Sequence, residues 1–262
     1  MFFLQWNGKP LTLTRVFQAV QVRVRDRLQP INEVRGVYAT FAEAAAAAPR
    51  TKPMGYDSAD AGRWYADKLT GVQLEDYPVL YWLKSALADS SSLFEIGGHV
   101  GVAYYGFSLV LEYPREFTWT ILDVPSVMAA GEALARERGR TNLRFAHDGA
   151  SAARGGDVVL AAGALQYLET DLATIVAGFQ YRPKHVLINV TPVYDGPTFV
   201  TIQNVGSVYC AYRIFNRGEF VGSLESIGYR LVDSWAKPRR FRVPGHPDKA
   251  FDHYSGFYFR AE

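Results

Sequence analysis

The stretch Leu93-Phe94-Glu95-Ile96-Gly97-Gly98-His99-Val100-Gly101 decides the fold of this 262-residue chain. Residues 93–96 read as a short buried strand and residues 100–111 as a helix, so the glycines stand in a strand-to-helix turn. Gly97 and Gly98 permit a tight turn and close approach of a ligand to the backbone. Gly101 lets the next helix pack closely on the sheet, and the helix start offers free N–H groups to an anion. A glycine pair after a strand is also a common plain turn, so the flanking pattern must support it.

That pattern does. Strands over 118–122, 143–146, 157–161 and 185–190 alternate with helices over 126–138 and 168–179, and a helix over 74–87 precedes them. Such alternation means βαβ units and a mainly parallel sheet with helices on both faces. The end of the chain breaks it: a helix over 216–227 is followed by strands over 229–235 and 254–259. Pro238, Pro244 and Pro247 leave no place for a crossover helix between those strands, so they are expected to pair antiparallel. Glu95, Asp123 and Asp148 fall in step at the carboxyl ends of the first three strands, the rim where open α/β sheets bind ligands. A carboxylate at Asp123 can accept both hydroxyls of a ribose.

This series resembles the motifs of class I S-adenosylmethionine-dependent methyltransferases. They are carried by Glu95-x-Gly97-x-x-x-Gly101, Asp123, Asp148 and Asp157-Val-Val-Leu-Ala-Ala-Gly163. More closely, several strings resemble a bacterial methyltransferase family whose name supplies no substrate. They are Tyr77-Pro78-Val79-Leu80-Tyr81-Trp82-Leu83, Gly97-Gly98-His99-Val100-Gly101, Asp123-Val124-Pro125, Val186-Leu187-Ile188-Asn189, Phe215-Asn216-Arg217 and Tyr254-Ser255-Gly256. The resemblance implies a Rossmann-like α/β sheet of seven strands, mainly parallel with an antiparallel end pair, and S-adenosylmethionine as cofactor. It implies that Glu95 orients the methionine amine and that Gly97, Gly98 and Gly101 admit the methionine and ribose portion. Asp123 would hold the ribose, Val124 would lie against the adenine, Asp148 would meet its amino group, and Gly163 would lie beside the methionine.

Two departures bear on chemistry. The middle glycine of the usual Gly-x-Gly-x-Gly is His99, which places an imidazole beside the cofactor. Asp123-Val124-Pro125-Ser126-Val127 resembles a string of phenol O-methyltransferases that carry a His base after the fourth strand, but the matching position here is Gln166, in Leu165-Gln166-Tyr167. Gln166 cannot take a proton, so His99 and His253 are the candidate catalytic bases, while Gln166 and Tyr167 are candidate substrate contacts. The long segment 189–216 adds Asn189, Tyr194, Gln203, Tyr212 and Arg213 as substrate candidates. It reads equally as a substrate wall or as a hairpin insertion whose tyrosines simply pack, since residues 198–208 alternate like strands.

Composition narrows the classes. A 48% hydrophobic and 21% charged chain is that of an ordinary globular protein, and a net charge of +2 argues against a nucleic-acid binder. The lone Cys210 excludes an intrachain disulfide and fits a cytoplasmic setting; no metal site is expected. Residues 1–71 read as a helical N-terminal arm and cap, with helices over 14–28, 41–48 and 59–69 and no strand strong enough to seed a sheet, and residues 72–262 as the sheet domain. The first of these helices has an apolar stripe, Val16, Phe17, Val20, Val24 and Leu28, beside Arg15, Arg23 and Arg27. The stripe must be buried on its own domain, in a homodimer or on a membrane surface, the last least favoured because one short basic helix is a weak anchor.

The expected function is S-adenosylmethionine-dependent methylation, at oxygen, of a small-molecule or sugar-containing acceptor. A non-catalytic cofactor-binding scaffold is the first alternative, kept open by the missing base. An NAD-dependent oxidoreductase is the second, and it leaves the antiparallel strand pair unexplained.

Overall fold

The computed structural model describes residues 5–6, 9–10, 31–57 and 69–262. The expected helix over 14–28, and that over 59–69 apart from Leu69, lie outside the described residues. In chain order the strands are β1 (Gln5–Trp6), β2 (Lys9–Pro10), β3 (Val34–Tyr38), β4 (Ser92–Ile96), β5 (Thr118–Leu122), β6 (Leu143–Phe145), β7 (Val158–Ala162), β8 (His185–Thr191), β9 (Val193–Tyr194), β10 (Phe199–Asn204), β11 (Tyr209–Asn216), β12 (Tyr229–Val243) and β13 (His246–Ala261). The α-helices are α1 (Phe41–Ala47), α2 (Tyr77–Ala86), α3 (Val102–Phe107), α4 (Pro125–Glu137), α5 (Gly149–Arg154), α6 (Leu172–Ala177) and α7 (Arg217–Glu225). Among the described residues, no helix is long and apolar enough to cross a membrane.

Seven strands form the main sheet, in the order β12-β13-β8-β7-β4-β5-β6. The five from β8 to β6 run parallel, while β13 is antiparallel to both β8 and β12. The strand order reverses between β4 and β7, which opens a crevice beyond their carboxyl ends. Every residue of β7 from Val158 to Ala161 is buried, as a central strand covered on both faces requires. Two apolar clusters cover those faces. Leu93, Trp119, Ile121, Leu160 and Leu187 pack with α2 and α4 on one, and Phe94, Ile96, Val159, Ile188 and Phe257 with α6 and α7 on the other. Pro125 occupies the first turn of α4, where its missing N–H costs nothing.

A second sheet has the order β3-β10-β11-β9, and β1 and β2 form a separate antiparallel pair. The hairpin reading of segment 189–216 holds, with strands placed later than the alternation over 198–208 implies: β10 and β11 pair from Phe199↔Ile214 to Asn204↔Tyr209. The absence of any strand before residue 72 does not hold: β3 pairs antiparallel with β10. Gly36 weakens the local strand signal, and β3 is held by pairing with β10, a partner so distant along the chain that no local pattern displays it. The hairpin β12–β13 is also far longer than the two short strands expected. Its outer half carries Phe241, Val243, Phe251 and Tyr254 into a core shared with Val34, Phe199, Tyr212 and Ile214 of the second sheet.

Candidate active site

The turn after β4 has the expected geometry. Gly97 has φ +72°, and a Cβ there would lie 2.3 Å from the Ala164 Cβ; Gly101 has φ +100°. A Cβ on Gly98 would lie 2.5 Å from the Glu95 carboxyl, so the backbone and this acid are in close approach. His99, between them, holds φ +55°, a left-handed conformation uncommon outside glycine. Its backbone N–H donates to Asp123 Oδ2 at 2.8 Å, and that of Val124 donates to Oδ1 at 2.7 Å. Asp123 thus fixes the glycine turn against the end of β5. Burial pushes its pKa up, and these two backbone bonds oppose the rise.

Glu95 is buried, and Trp119 Nε1 donates to its Oε2 at 2.8 Å. Burial pushes its pKa to about 8, helped by the nearby charges of Asp123 and Asp76 and opposed by the indole bond. A buried carboxyl that needs a cation to ionise suits the amine of an amino-acid-bearing cofactor. No motif or spacing in the sequence marks Asp76 for this place. It stands just before α2, and its Oδ1 accepts from Asn189 Nδ2 at 3.0 Å. Asn189 also donates to the Glu75 carbonyl and accepts from Trp235 Nε1, both at 3.0 Å. This fully buried amide ties α2, β8 and β12 together at the crevice.

On the second strand-end loop, Gly163 is open, with no atom nearer than 3.9 Å to a built Cβ. Gln166 is buried; its Nε2 donates to the Gly163 carbonyl at 2.7 Å, and its Oε1 has no partner. Next to it, Tyr167 donates to Gln203 Oε1 at 2.6 Å and meets the Tyr212 ring edge-on at 5.2 Å. Tyr212 and Tyr254 share a hydroxyl–hydroxyl bond of 2.9 Å. Tyr56, from the loop after α1, lies 6.4 Å from the Tyr167 ring and 6.5 Å from that of His99. Gln166, Tyr167, Gln203 and Tyr212 are therefore brought together beside the glycine turn.

Other candidates lie elsewhere. Arg213 follows Tyr212 on β11 and so faces the opposite side. It stacks on Phe41 and Phe215 and lines a separate cavity of about 560 Å³ with Glu169 and Glu219. Tyr194 donates to the Pro197 carbonyl and packs on Phe199 and Phe251. His253 lies within β13 rather than before it; it is exposed and faces away from Tyr254. Asp148 caps α5, a helix with no sequence signal strong enough to expect it, and accepts from the Ser151 N–H at 2.7 Å. That bond, with the Ser151 hydroxyl, holds its pKa below the usual carboxylate range. Among the described residues no group of His, Cys, Asp and Glu could hold a metal.

No protein-family model and no curated protein matches the sequence. Solved structures do match the fold. One is a 1,6-didemethyltoxoflavin-N1-methyltransferase of Burkholderia thailandensis with bound 1,6-didemethyltoxoflavin and S-adenosylhomocysteine. It is 20% identical, with a TM-score of 0.50, over 97% of this chain and 92% of that one. The chain has the class I methyltransferase fold. A Galdieria sulphuraria protein assigned as a sarcosine dimethylglycine methyltransferase matches at 11% identity and a TM-score of 0.50, over 77% of this chain and 98% of the other. In a methyltransferase sheet of this kind the inserted antiparallel strand is β13, and the crevice between β4 and β7 is where Glu95, the glycine turn and Gly163 meet.

Proposed function

We propose that this protein is an S-adenosylmethionine-dependent methyltransferase acting on a small molecule, with a hydroxyl oxygen as the acceptor atom. The single observation that carries the cofactor assignment is the buried Glu95 carboxyl packed against the Gly97–Gly98 backbone, with Asp123 on the same rim. These residues fit the group: an acid that lacks a cation, an open Gly163, and a carboxylate aligned by two backbone N–H groups.

The cofactor, when bound, supplies an activated methyl on a sulfonium. Glu95 would hold the methionine amine and Asp123 the ribose hydroxyls, with Val124 beside the adenine. Gly97, Gly98, Gly101 and Gly163 would leave room for the chain between. Both Ser151 bonds fall on Asp148 Oδ1, so a contact with the adenine amine would use Oδ2. Alignment of the acceptor can supply much of the acceleration, and a base adds typically 10²–10⁴-fold for a hydroxyl. His99 is the candidate base, since its ring lies in the glycine turn facing Tyr56. His253, exposed on the hairpin, is set aside for that role. Gln166 and Tyr167 would position the acceptor.

Calorimetry with S-adenosylhomocysteine and with NAD tests the cofactor: binding of the first and not the second is expected, and the reverse would establish the oxidoreductase instead. Release of S-adenosylhomocysteine from S-adenosylmethionine across a library of hydroxylated acceptors then tests turnover. Binding without any turnover would support the scaffold alternative.

A further inference from the structure

Two carboxyls approach the crevice from the α2 face of the main sheet, and the cofactor assignment uses only one of them. Glu95 shares its face of β4 with Leu93, a member of the apolar cluster under α2. It is in register with Leu160 of β7, and Leu160 with Leu187 of β8, both in the same cluster. Asn189 follows Leu187 by two residues and so faces the same way, at the carboxyl end of β8. Its carbonyl accepts from the Gly163 N–H at 2.9 Å, and its side chain donates to Asp76 Oδ1 at 3.0 Å. Asp76 is thereby fixed at these strand ends beside the open Gly163, near enough for its charge to act on Glu95.

Neither acid has a cation. No ion pair among the described residues includes Glu95 or Asp76. Strand alternation turns Lys237 and Arg239 inward from the basic run Lys237, Arg239, Arg240 and Arg242. The charge of Lys237 does reach Asp76, but Lys237 is paired with Glu75. A separate observation marks a ligand at this place. Gln166 is buried on the Gly163 loop; its Nε2 is spent on the Gly163 carbonyl, and its Oε1 has no donor. A buried acceptor without a donor calls for a ligand that supplies one. Two carboxylates held close repel each other unless one takes a proton or a cation lies between them. A primary ammonium meets both demands, being a compact cation with three N–H donors and no acceptor.

We propose that Asp76 is a cofactor-binding residue, and that the α-ammonium of S-adenosylmethionine lies between the carboxylates of Glu95 and Asp76. Asn189 aligns the second carboxylate through its ties to α2, β8 and β12. The proposal rests on the methyltransferase reading and adds to it a second residue that selects the amino-acid end of the cofactor.

Calorimetry on the full chain tests it with three probes. They are S-adenosylhomocysteine, the same molecule with hydrogen in place of the α-amino group, and the same molecule with hydrogen in place of the carboxyl. The deamino probe should bind the parent protein about 10-fold or more weakly than S-adenosylhomocysteine, the scale of a lost bond to a charged group. Asp76→Asn keeps an oxygen for Asn189 and should retain the parent's melting temperature. It should weaken S-adenosylhomocysteine and the decarboxy probe about 10-fold, and leave the deamino probe within about twofold of its parent value. Asp76→Ala should show the same selective loss, read as the ratio between probes, even if its melting temperature falls. Equal weakening of all three probes would make Asp76 a structural residue only and overturn the proposal. So would an unchanged S-adenosylhomocysteine affinity in Asp76→Asn, or a deamino probe that binds the parent as tightly as S-adenosylhomocysteine. Failure of S-adenosylhomocysteine to bind the parent protein would instead remove the cofactor reading, and the proposal with it.

Discussion

Trp119 Nε1 donates to Glu95 Oε2 at 2.8 Å, a bond that opposes the rise in the carboxyl's pKa driven by burial and by two neighbouring acids. The two residues lie on adjacent parallel strands, Trp119 on β5 opposite Leu93 and Glu95 opposite Ile121. A cationic amine docked on Glu95, as proposed, would couple ligand binding to the release of a proton.

Glu95 has its pKa raised to about 8 in the folded chain, against 4.5 for the ordinary group. Between those values the folded protein retains a proton that the unfolded chain has lost. Its contribution therefore makes stability fall as pH rises from 4.5 to about 8, and level off above. Glu95→Gln should remove this fall, so its melting temperature should gain on that of the parent protein as pH rises across the window. An amine placed on Glu95 should expel the proton. Calorimetry of S-adenosylhomocysteine at pH 6.5, in buffers of different ionisation enthalpy, should detect release of close to one proton, and none for Glu95→Gln. Equal release by both proteins would place the coupling elsewhere.

Asp123 has two duties, since it braces the His99 and Val124 N–H groups and faces the crevice. Asp123→Ala should weaken S-adenosylhomocysteine by more than about 1.5 kcal/mol, the scale of hydrogen bonds to a charged group. Asp123→Asn keeps one acceptor oxygen and should retain more of the loop's stability than of the affinity. An unchanged dissociation constant in Asp123→Ala would defeat the ribose assignment.

The glycines of the site separate by what surrounds them. Gly97→Ala would meet the Ala164 Cβ at 2.3 Å and also hold φ +72°, whereas Gly163→Ala would carry only the strain of φ +71° in open space. The left-handed conformation costs about 1–2 kcal/mol for a residue with a Cβ, and overpacking adds about 1–3. Urea unfolding should rank Gly97→Ala as the more damaging, and Ala164→Gly should recover part of its loss. Equal midpoints for the two alanine variants would show that the turn yields more than its geometry implies.

Gln166 offers a sharper probe than its burial suggests. Its amide donates to the Gly163 carbonyl, so a carboxylate in its place would present oxygen to oxygen. Gln166→Glu keeps that bond only while protonated, and burial among apolar neighbours such as Leu165 should raise the pKa of the new acid. Its melting temperature should match the parent near pH 5 and fall below it as pH rises toward 8. A constant difference across that range would mean that the side chain had turned out of the site.

What the sequence disclosed follows from how local each signal is. The turn at Gly97–Gly101 and the acids at strand ends are set by neighbours a few residues away, so β4, β5, β7 and their rim were legible. Asp76, Tyr56 and Tyr254 join the site across separations that no spacing displays: Asp76 reaches Asn189 over 113 residues, and Tyr254 reaches Tyr212 over 42. The opposed directions of Tyr212 and Arg213 were implicit in strand alternation once β11 was accepted as a strand. Local pattern does not decide that, because a packed hairpin and a substrate wall share the same residues. The Lys237–Arg242 cluster was visible as charge, but only the pairing of β12 with β13 shows which two of its cations turn inward.

The role of the N-terminal arm is the last question the structure makes testable. From residue 32 the chain is bound into the second sheet: Asn32 N–H donates to the Asn204 carbonyl at 2.7 Å, and the Asn204 N–H to the Glu33 carbonyl at 2.9 Å. β3 then pairs with β10, whose Gln203 accepts from Tyr167. A cut before this anchorage leaves those bonds intact, and each residue assigned to the cofactor lies after residue 94. Deletion of residues 1–30 should therefore preserve S-adenosylhomocysteine affinity to within about threefold, below the scale of one lost charged hydrogen bond. The stripe of Val16, Phe17, Val20, Val24 and Leu28 would be lost with it, so the change should appear in oligomeric state, by light scattering, or in turnover. A truncated protein that still melts cooperatively but no longer binds S-adenosylhomocysteine would make the arm part of the cofactor site and move the domain boundary from residue 71.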